Sequence, residues 1–419
     1  MVELQPIFKK AYWSLAIGGL LYVSIIFSLT FPTIQRFALY AHMVNPTFWQ
    51  NVNDVENFGF LRTQVQPFNL TTPDGETIYA WHMLPIHLCR EHEELLNANE
   101  PSGPAEDVTK TPAFKLLAED PNARVVVSFH GNAGHLGFEL RSEGYRMGLG
   151  LSTPQNPVHV FAIDYRGFGL STGFPTEEGV ITDAVTLLNF LTSPPLNIPP
   201  SRIVIVGQSL GTAVTAAVAE RFAFGSPDPN AIQPALKDPE PFAGIILLAS
   251  FSNVPKLIES YSLKGLTPPM LSPLVGYPRA QKYALDHILD RWDTASRLAR
   301  LTGVAHNESD AAYANKELDL AIIHARDDHE IPWREGRRNW AAATGEGLPD
   351  APGSIVHERT AEDGRTEVKI WERPVSGSSK GTGKKKVKKV RWERVGYGGH
   401  NRVATYSVSA LAILRAFEE

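Results

Sequence analysis

Ile203-Val204-Ile205-Val206-Gly207-Gln208-Ser209-Leu210-Gly211-Thr212-Ala213-Val214 decides how the rest of the chain is read. Four consecutive β-branched apolar residues read as a buried strand, and the small residues of Thr212–Ala219 as a helix packed tightly on a sheet. Between them lies Gly-x-Ser-x-Gly, the strand-to-helix elbow that presents a serine. A serine at this turn must adopt strained backbone angles so that its Oγ stands clear of the sheet. Glycines on either side remove the Cβ atoms that would collide there. The helix that follows aims its first amides, and its positive end, at any oxyanion formed on Ser209. Ser209 is therefore the candidate nucleophile.

Outward from the elbow, further apolar runs read as buried strands. They are Arg124–Phe129, Val158–Tyr165, Phe242–Ser250 and Leu318–His324. Residues 176–193 have the spacing of an amphipathic helix. Strand and helix alternate, which predicts an α/β fold with a mostly parallel sheet covered on both faces. Upstream, residues 64–70 alternate, Thr72-Pro-Asp-Gly75 reads as a turn, and Thr77–Met83 alternates again, so a hairpin is expected. The polar, acidic stretch 88–121 reads as a surface insertion, with a helical piece near 91–99. Residues 251–300 break the rhythm. Their proline-rich centre, Leu266–Pro278, cannot be a strand or a long helix, and in this position the segment reads as a cap over a pocket. Within 353–395, Glu367–Glu372 and Val387–Glu393 both alternate and predict a hairpin. Its Lys-rich tip, 380–391, reads as a solvated loop.

A serine hydroxyl needs a base, and the base an orienting carboxylate. In an elbow fold these follow in the order Ser, Asp/Glu, His. His324, His329, His357 and His400 all lie downstream. His400 follows Gly396-Tyr-Gly-Gly399, a loop able to carry a side chain over the sheet, and precedes a C-terminal helix; His357 sits in a polar turn. His400 is the candidate base. For the acid, Asp327 and Asp328 both stand just past a strand end, where ligands bind in such sheets. Only one of two adjacent residues can point at the histidine, and the other is expected to hold the loop. Asp164 is the weaker rival, expected to pair with Arg166. His130-Gly-Asn-Ala-Gly134 follows an earlier strand and supplies the second half of an oxyanion hole. By position the donors are the backbone amides of Asn132 and Leu210.

The N-terminus adds a membrane signal. Residues 11–31 carry no charge and would span roughly 31 Å as a helix, about one hydrocarbon core. Tyr12 and Trp13 stand where an interfacial belt would be, after Lys9-Lys10. The run is longer than a signal-peptide core and ends in Phe31-Pro32 rather than a small-x-small site. The expected organisation is a cytosolic N-terminus (1–10), a transmembrane anchor (11–31), an irregular connector (32–60) and one catalytic domain (61–419). The lysine pair favours a translocated domain, and the sequons at Asn69 and Asn307 agree with a lumenal side. A chain starting near residue 45 is expected to be releasable from the membrane and still to react with a fluorophosphonate probe. The net charge of −5 gives no global reason to expect nucleic acid. No Cys/His spacing resembles a metal site, and with Cys89 alone there is no internal disulfide.

These motifs together carry a resemblance. His130–Gly134, Asp164-Tyr-Arg-Gly-Phe-Gly-Leu-Ser-Thr-Gly-Phe-Pro-Thr-Glu-Glu-Gly179, Gly207–Thr212 and His324-Ala-Arg-Asp-Asp-His-Glu-Ile-Pro332 look like the membrane-anchored α/β-hydrolase-domain lipases. Within these the chain most resembles the monoacylglycerol and lysophosphatidylserine lipase branch, over roughly residues 120–419. The resemblance implies an α/β-hydrolase fold behind one transmembrane helix, with Ser209 as nucleophile, His400 as base and Asp328 as acid. Asp328 is preferred because the family's acid stands three residues before the hydrophobic residue of its (Val/Ile)-Pro pair, here Ile331-Pro332. It further implies a lipid ester as substrate, no cofactor, and residence in the endoplasmic reticulum with a lumenal catalytic domain. The same triad would serve a thioesterase or a peptidase. The 353–395 and 88–121 segments depart from the family pattern.

Overall fold

The computed structural model describes residues 6–45, 47, 49–138, 140–260, 270–305, 311–375 and 386–418. Asn307, the first part of the proline-rich centre and residues 380–385 of the Lys-rich tip lie outside the described residues; residues 387–391, expected in the solvated loop, belong to a strand.

Ten strands form one sheet. They are β1 (Val65–Thr71), β2 (Thr77–Met83), β3 (Arg124–Phe129), β4 (Val158–Ile163), β5 (Ile203–Gln208), β6 (Gly244–Leu248), β7 (Leu318–Ala325), β8 (Ser354–Thr360), β9 (Glu367–Pro374) and β10 (Val387–Val395). The order across the sheet is β1-β2-β4-β3-β5-β6-β7-β10-β9-β8. The six central strands, from β4 through β10, run parallel, and antiparallel pairs close both edges. β5 lies inside this parallel block, so its C-terminal end has neighbours on both sides.

The principal helices are α1 (Pro6–Ser28), α2 (Pro32–Tyr40), α3 (Arg141–Leu149), α4 (Glu177–Thr192), α5 (Leu210–Phe224), α6 (Thr294–Thr302), α7 (Trp333–Thr344) and α8 (Ser407–Glu418). The sheet separates two apolar layers. On one face α4, α5, α6 and α7 bury Leu187, Val214, Leu298 and Trp340. On the other, α3 and α8 cover Val126, Val160, Val206 and Ile246 with Tyr145, Leu149 and Ile413. The helix after the elbow has small residues because it is buried nearly all round.

Three expectations need correction. Residues 32–60 are not an irregular connector. Pro32 at the first helical position starts α2, and Gln35 and Tyr40 of that helix are buried. The apolar helix accordingly runs Pro6–Ser28, ahead of the expected 11–31 window, and none of its residues is buried. His357 is not in a turn but on β8, an exposed edge strand that extends the expected hairpin to three strands. The 88–121 insertion lies on the surface, yet its short helices bury Leu88, Cys89, Leu96 and Ala113 in a small core of their own.

Beneath that insertion sits a buried histidine pair. His82 Nε2 on β2 and His159 Nδ1 on β4 are 2.9 Å apart, both fully buried. Burial pushes both imidazoles down, His82 further through the His159 charge, and His159 to about 3 with help from His87. The unfolded chain, with ordinary histidines near 6.5, therefore binds protons that the folded chain refuses. This stabilisation is complete above about pH 6.5; for His159 it is lost as pH falls towards 3, by about 1.4 kcal/mol per pH unit, and His82 acts in the same direction. Urea unfolding at pH 7 and pH 5 should show this slope, and His159→Gln should flatten it.

Candidate active site

The elbow is built from close approaches. Ser209 has φ +55° and ψ −120°, a strained combination for a non-glycine residue. A Cβ on Gly207 would lie 2.2 Å from the Gly211 carbonyl oxygen, and one on Gly211 would lie 1.9 Å from that of Phe129. Only glycine lets β5, the start of α5 and the end of β3 meet so closely. The Ser209 amide donates to the Leu248 carbonyl at 3.0 Å. Leu210 follows as the first residue of α5, where amides have no acceptor within their own helix.

On the far side of the pocket, His400 Nδ1 donates to Asp328 Oδ2 at 2.9 Å. Asp328 Oδ1 accepts the amides of Glu330 and Ile331, each at 2.9 Å. His324 Nε2 lies 3.2 Å from Asp328 Oδ2 and 2.9 Å from the Ile331 carbonyl. Burial acts to raise the Asp328 pKa, but the hydrogen bonds and charges of His324 and His400 outweigh it. The carboxyl is held well below the usual range, so it stays ionised. The neighbouring Asp327 accepts the Gly399 amide at 2.8 Å and so ties down the loop that carries His400. Gln208, inside the elbow motif, donates to the His400 carbonyl and to Asn401 Oδ1, both at 3.1 Å. Glu330 stands on the other side of the imidazole, 4.0 Å from His400 Nε2.

Ser209, His400 and Asn132 line one cavity of about 230 Å³. Asn132 sits in the turn after β3, and that turn is held from three directions that sequence reading missed. Arg141 donates to the carbonyls of His135 (2.6 Å), Gly131 (3.1 Å), Asn132 (2.9 Å) and Ala133 (3.0 Å). Gathering the carbonyls on one guanidinium fixes the orientation of this stretch of peptide groups. The Ala133 amide donates to the Tyr40 carbonyl at 3.1 Å, and the Gly134 amide to the Val44 carbonyl at 2.9 Å. Asn132 Nδ2 reaches the Leu39 carbonyl at 3.4 Å. Asp164 lies below the turn, 3.5 Å from His130 Nε2 and accepting the Leu136 amide at 2.6 Å. It does not pair with Arg166, which is held by Asp183 at 2.8 Å and Asp74 at 2.7 Å. No motif in the sequence marks these partners, of which Leu39, Tyr40, Val44 and Asp164 stand tens of residues from the groups they hold.

Among the described residues, none from 251–300 lines the cavity. Part of that segment packs instead on the N-terminal helices. Tyr22 Oη donates to the Met270 carbonyl at 3.1 Å, Gln35 bonds the His287 carbonyl and the Leu289 amide, and Arg36 meets Asp290 at 3.0 Å. Burial of Tyr40 completes the junction, its hydroxyl donating to Asp290 at 3.0 Å.

Residues 125–377 match the family model described as the alpha/beta hydrolase family. The chain belongs to that family. Lysophosphatidylserine lipase ABHD12 of Danio rerio is 24% identical to this hydrolase-family chain over 314 residues, 73% of the chain and 65% of the relative. Human protein ABHD12B is 27% identical over 230 residues, 55% of the chain and 52% of the relative. The chain thus spans about half to two-thirds of the length of these two curated relatives. An α/β hydrolase from Vibrio vulnificus has the same fold, with a TM-score of 0.51 at 17% identity over 92% of this chain and 94% of its own.

The brace from residues 39–44 bears on the expectation that a chain starting near residue 45 stays reactive, because that chain lacks it. Such a truncation removes every contact that Leu39, Tyr40 and Val44 make with the turn. Deleting a fully buried aromatic alone costs about 3–5 kcal/mol. A chain starting at residue 30 keeps α2 and should label with a fluorophosphonate at the full-length rate. One starting at residue 46 should label at least about tenfold more slowly, as a ~1.4 kcal/mol loss of loop positioning requires. Equal labelling rates in both would show that the brace is dispensable.

Proposed function

We propose that this protein is a membrane-anchored serine hydrolase that cleaves acyl esters of lipids, with monoacylglycerols or lysophospholipids favoured. The observation that carries the proposal is the Asp328–His400 hydrogen bond in a cavity shared by His400 and the strained Ser209. Ser209 Oγ attacks the ester carbonyl while His400 Nε2 accepts its proton, and Asp328 holds the imidazole in the tautomer that can do so. The Asn132 and Leu210 amides stabilise the tetrahedral oxyanion, a contribution of about 10²–10³ per donor in such sites. His400 then protonates the departing alcohol. Water, activated by the same imidazole, releases the acid from the acyl-enzyme. The named activity of the ABHD12 relative supports the lipid ester as substrate.

The anchor is α1, among the described residues the one helix long and apolar enough to cross a membrane. Its junction with α2 and residues 270–290 holds the catalytic domain against the bilayer, where amphiphilic esters reside. Lys9 and Lys10 ahead of the span support a cytosolic N-terminus, and Asn69, exposed on β1, supports a lumenal domain in the endoplasmic reticulum. Two measurements test the proposal. Purified full-length protein in detergent should hydrolyse monoacylglycerol or lysophospholipid, and Ser209→Ala should not. Protease added to intact vesicles should spare the domain. Digestion without detergent would place the site in the cytosol and move a protein or acyl thioesterase ahead of the lumenal lipase.

A further inference from the structure

We infer that the acyl chain of the substrate lies between the sheet and helices α3 and α8, in a channel that Gly144 and Gly148 keep open. The inference rests on the serine-hydrolase reading and assigns the place of the chain within that site. The cavity at Ser209 does not stop at the strand ends. It descends along the sheet to Val126, Val160, Val206 and Ile246, walled by Met147 of α3 and Ile413 of α8.

Its depth follows from the register. Val126 pairs with both Val160 and Val204, and Val204 stands five positions before Ser209. At about 3.3 Å per residue the floor lies roughly 16 Å below the nucleophile. A fully extended chain of single bonds advances about 1.2 Å per bond, as a polypeptide does over its three bonds per residue. The channel therefore takes roughly a dozen bonds of alkyl chain.

The chemistry of the walls is graded. At the mouth stand Asn132, Gln208, Glu330, His400 and Asn401. Two of the deeper polar groups are already used: the Tyr145 hydroxyl donates to the Leu136 carbonyl at 2.8 Å and the Ser409 hydroxyl to the Val403 carbonyl at 2.7 Å. Apart from Ser128 of β3, what remains facing the space is valine, isoleucine, leucine, phenylalanine and methionine. A void of that lining does not hold water well and favours an apolar guest.

The two glycines show how the space persists. They stand four residues apart on α3 and both face the cavity. A Cβ on Gly144 would meet nothing nearer than the Ala404 carbonyl at 3.8 Å, and one on Gly148 nothing nearer than Val160 Cγ2 at 3.4 Å. Neither position has a positive φ. Alanine would fit at both and would strengthen the helix. Protein interiors ordinarily fill such room. These positions leave it empty, next to the nucleophile, at a cost in helix propensity.

The test compares butyryl, octanoyl and oleoyl esters of one alcohol, using full-length protein in detergent. Gly148→Leu, deep in the channel, should lower kcat/KM for the oleoyl ester relative to the butyryl ester by at least about tenfold, the scale on which one methylene is discriminated. Gly144→Leu, nearer the mouth, should extend the loss to the octanoyl ester. Gly148→Ala should raise the melting temperature while shifting preference towards shorter chains, a pairing that a merely structural glycine would not produce. Glu143→Ala, exposed on the same helix, serves as the control with no change in either ratio. If Gly148→Leu does not fold, Ile413→Phe fills the same space from α8 and must give the same shift. An unchanged chain-length profile in folded variants overturns the channel alone. A wild-type protein that neither labels with a fluorophosphonate nor hydrolyses the butyryl ester overturns the serine-hydrolase reading instead.

Discussion

Ser209→Ala is expected to abolish fluorophosphonate labelling and to lower turnover by about 10⁶, the scale of loss that removing a triad serine produces. The substitution deletes one oxygen at the mouth of the cavity, and the elbow is held through backbone groups, the Ser209 amide on Leu248 and the Ser209 carbonyl under Thr212. Unfolding by urea should therefore be unchanged, and loss of activity with loss of fold would not count. His400→Ala should be nearly as damaging, because nucleophile and base act as a unit and their separate losses do not add. His357→Ala should be silent, since His357 lies on the exposed edge strand β8, away from the cavity. If His400→Ala keeps near-normal activity while His357→Ala loses it, the base is misassigned.

Much of this architecture is legible in the sequence because its central strands are buried on both faces. Val125–Val127 and Ile203–Val206 are continuous β-branched runs, a pattern that parallel strands covered by helices on both sides impose. The elbow is legible for a steric reason: the approaches near 2 Å at Gly207 and Gly211 admit no other residue. His400 could be picked out because a glycine-rich loop and a helix flank it, and the adjacent Asp327 and Asp328 divide their tasks as two neighbours on one turn must. One accepts a loop amide and the other faces the imidazole.

What was not legible is long-range and polar. Arg141 belongs to no motif in the sequence, yet it gathers the carbonyls of residues 131, 132, 133 and 135. Tyr40 reads as linker, yet its carbonyl braces the turn after β3, more than 90 residues away. Asp164 and Arg166 suggested an ion pair by proximity in sequence, but each is satisfied by a different partner across the fold. Hydrophobic periodicity reports which face is buried, not which donor meets which acceptor. The channel was hidden for a related reason. It depends on side chains that are missing at Gly144 and Gly148, and the sequence of 251–300 drew attention to a cap that contributes no described residue to the cavity lining.

The adjacent acids offer the finest discrimination. Asp328→Asn is expected to lower turnover by about 10⁴, the cost of presenting a histidine in the wrong tautomer. The geometry explains why. Asp328 Oδ2 accepts from His400 Nδ1, leaving Nε2 unprotonated to receive the serine proton. An asparagine can turn its NH₂ to that nitrogen, forcing the proton onto Nε2, where it blocks the base. Asp328 also holds its own turn through the Glu330 and Ile331 amides, so Asn, which keeps one carbonyl oxygen, is a fairer test than Ala. Because the carboxyl is held well below the ordinary range by its two histidine partners against the effect of burial, its loss of charge does not set the acid limb of activity above about pH 4, the unperturbed carboxylate value. Asp327→Asn should behave differently. Its amide oxygen can still accept the Gly399 amide, so the loop keeps its tether, and a neutral acceptor in place of a charged one costs on the order of 1 kcal/mol, roughly fivefold in rate. Turnover of a short-chain ester by both variants, with folding checked by circular dichroism, decides the matter. A severe loss in Asp327→Asn beside a mild one in Asp328→Asn would transfer the role of acid to Asp327.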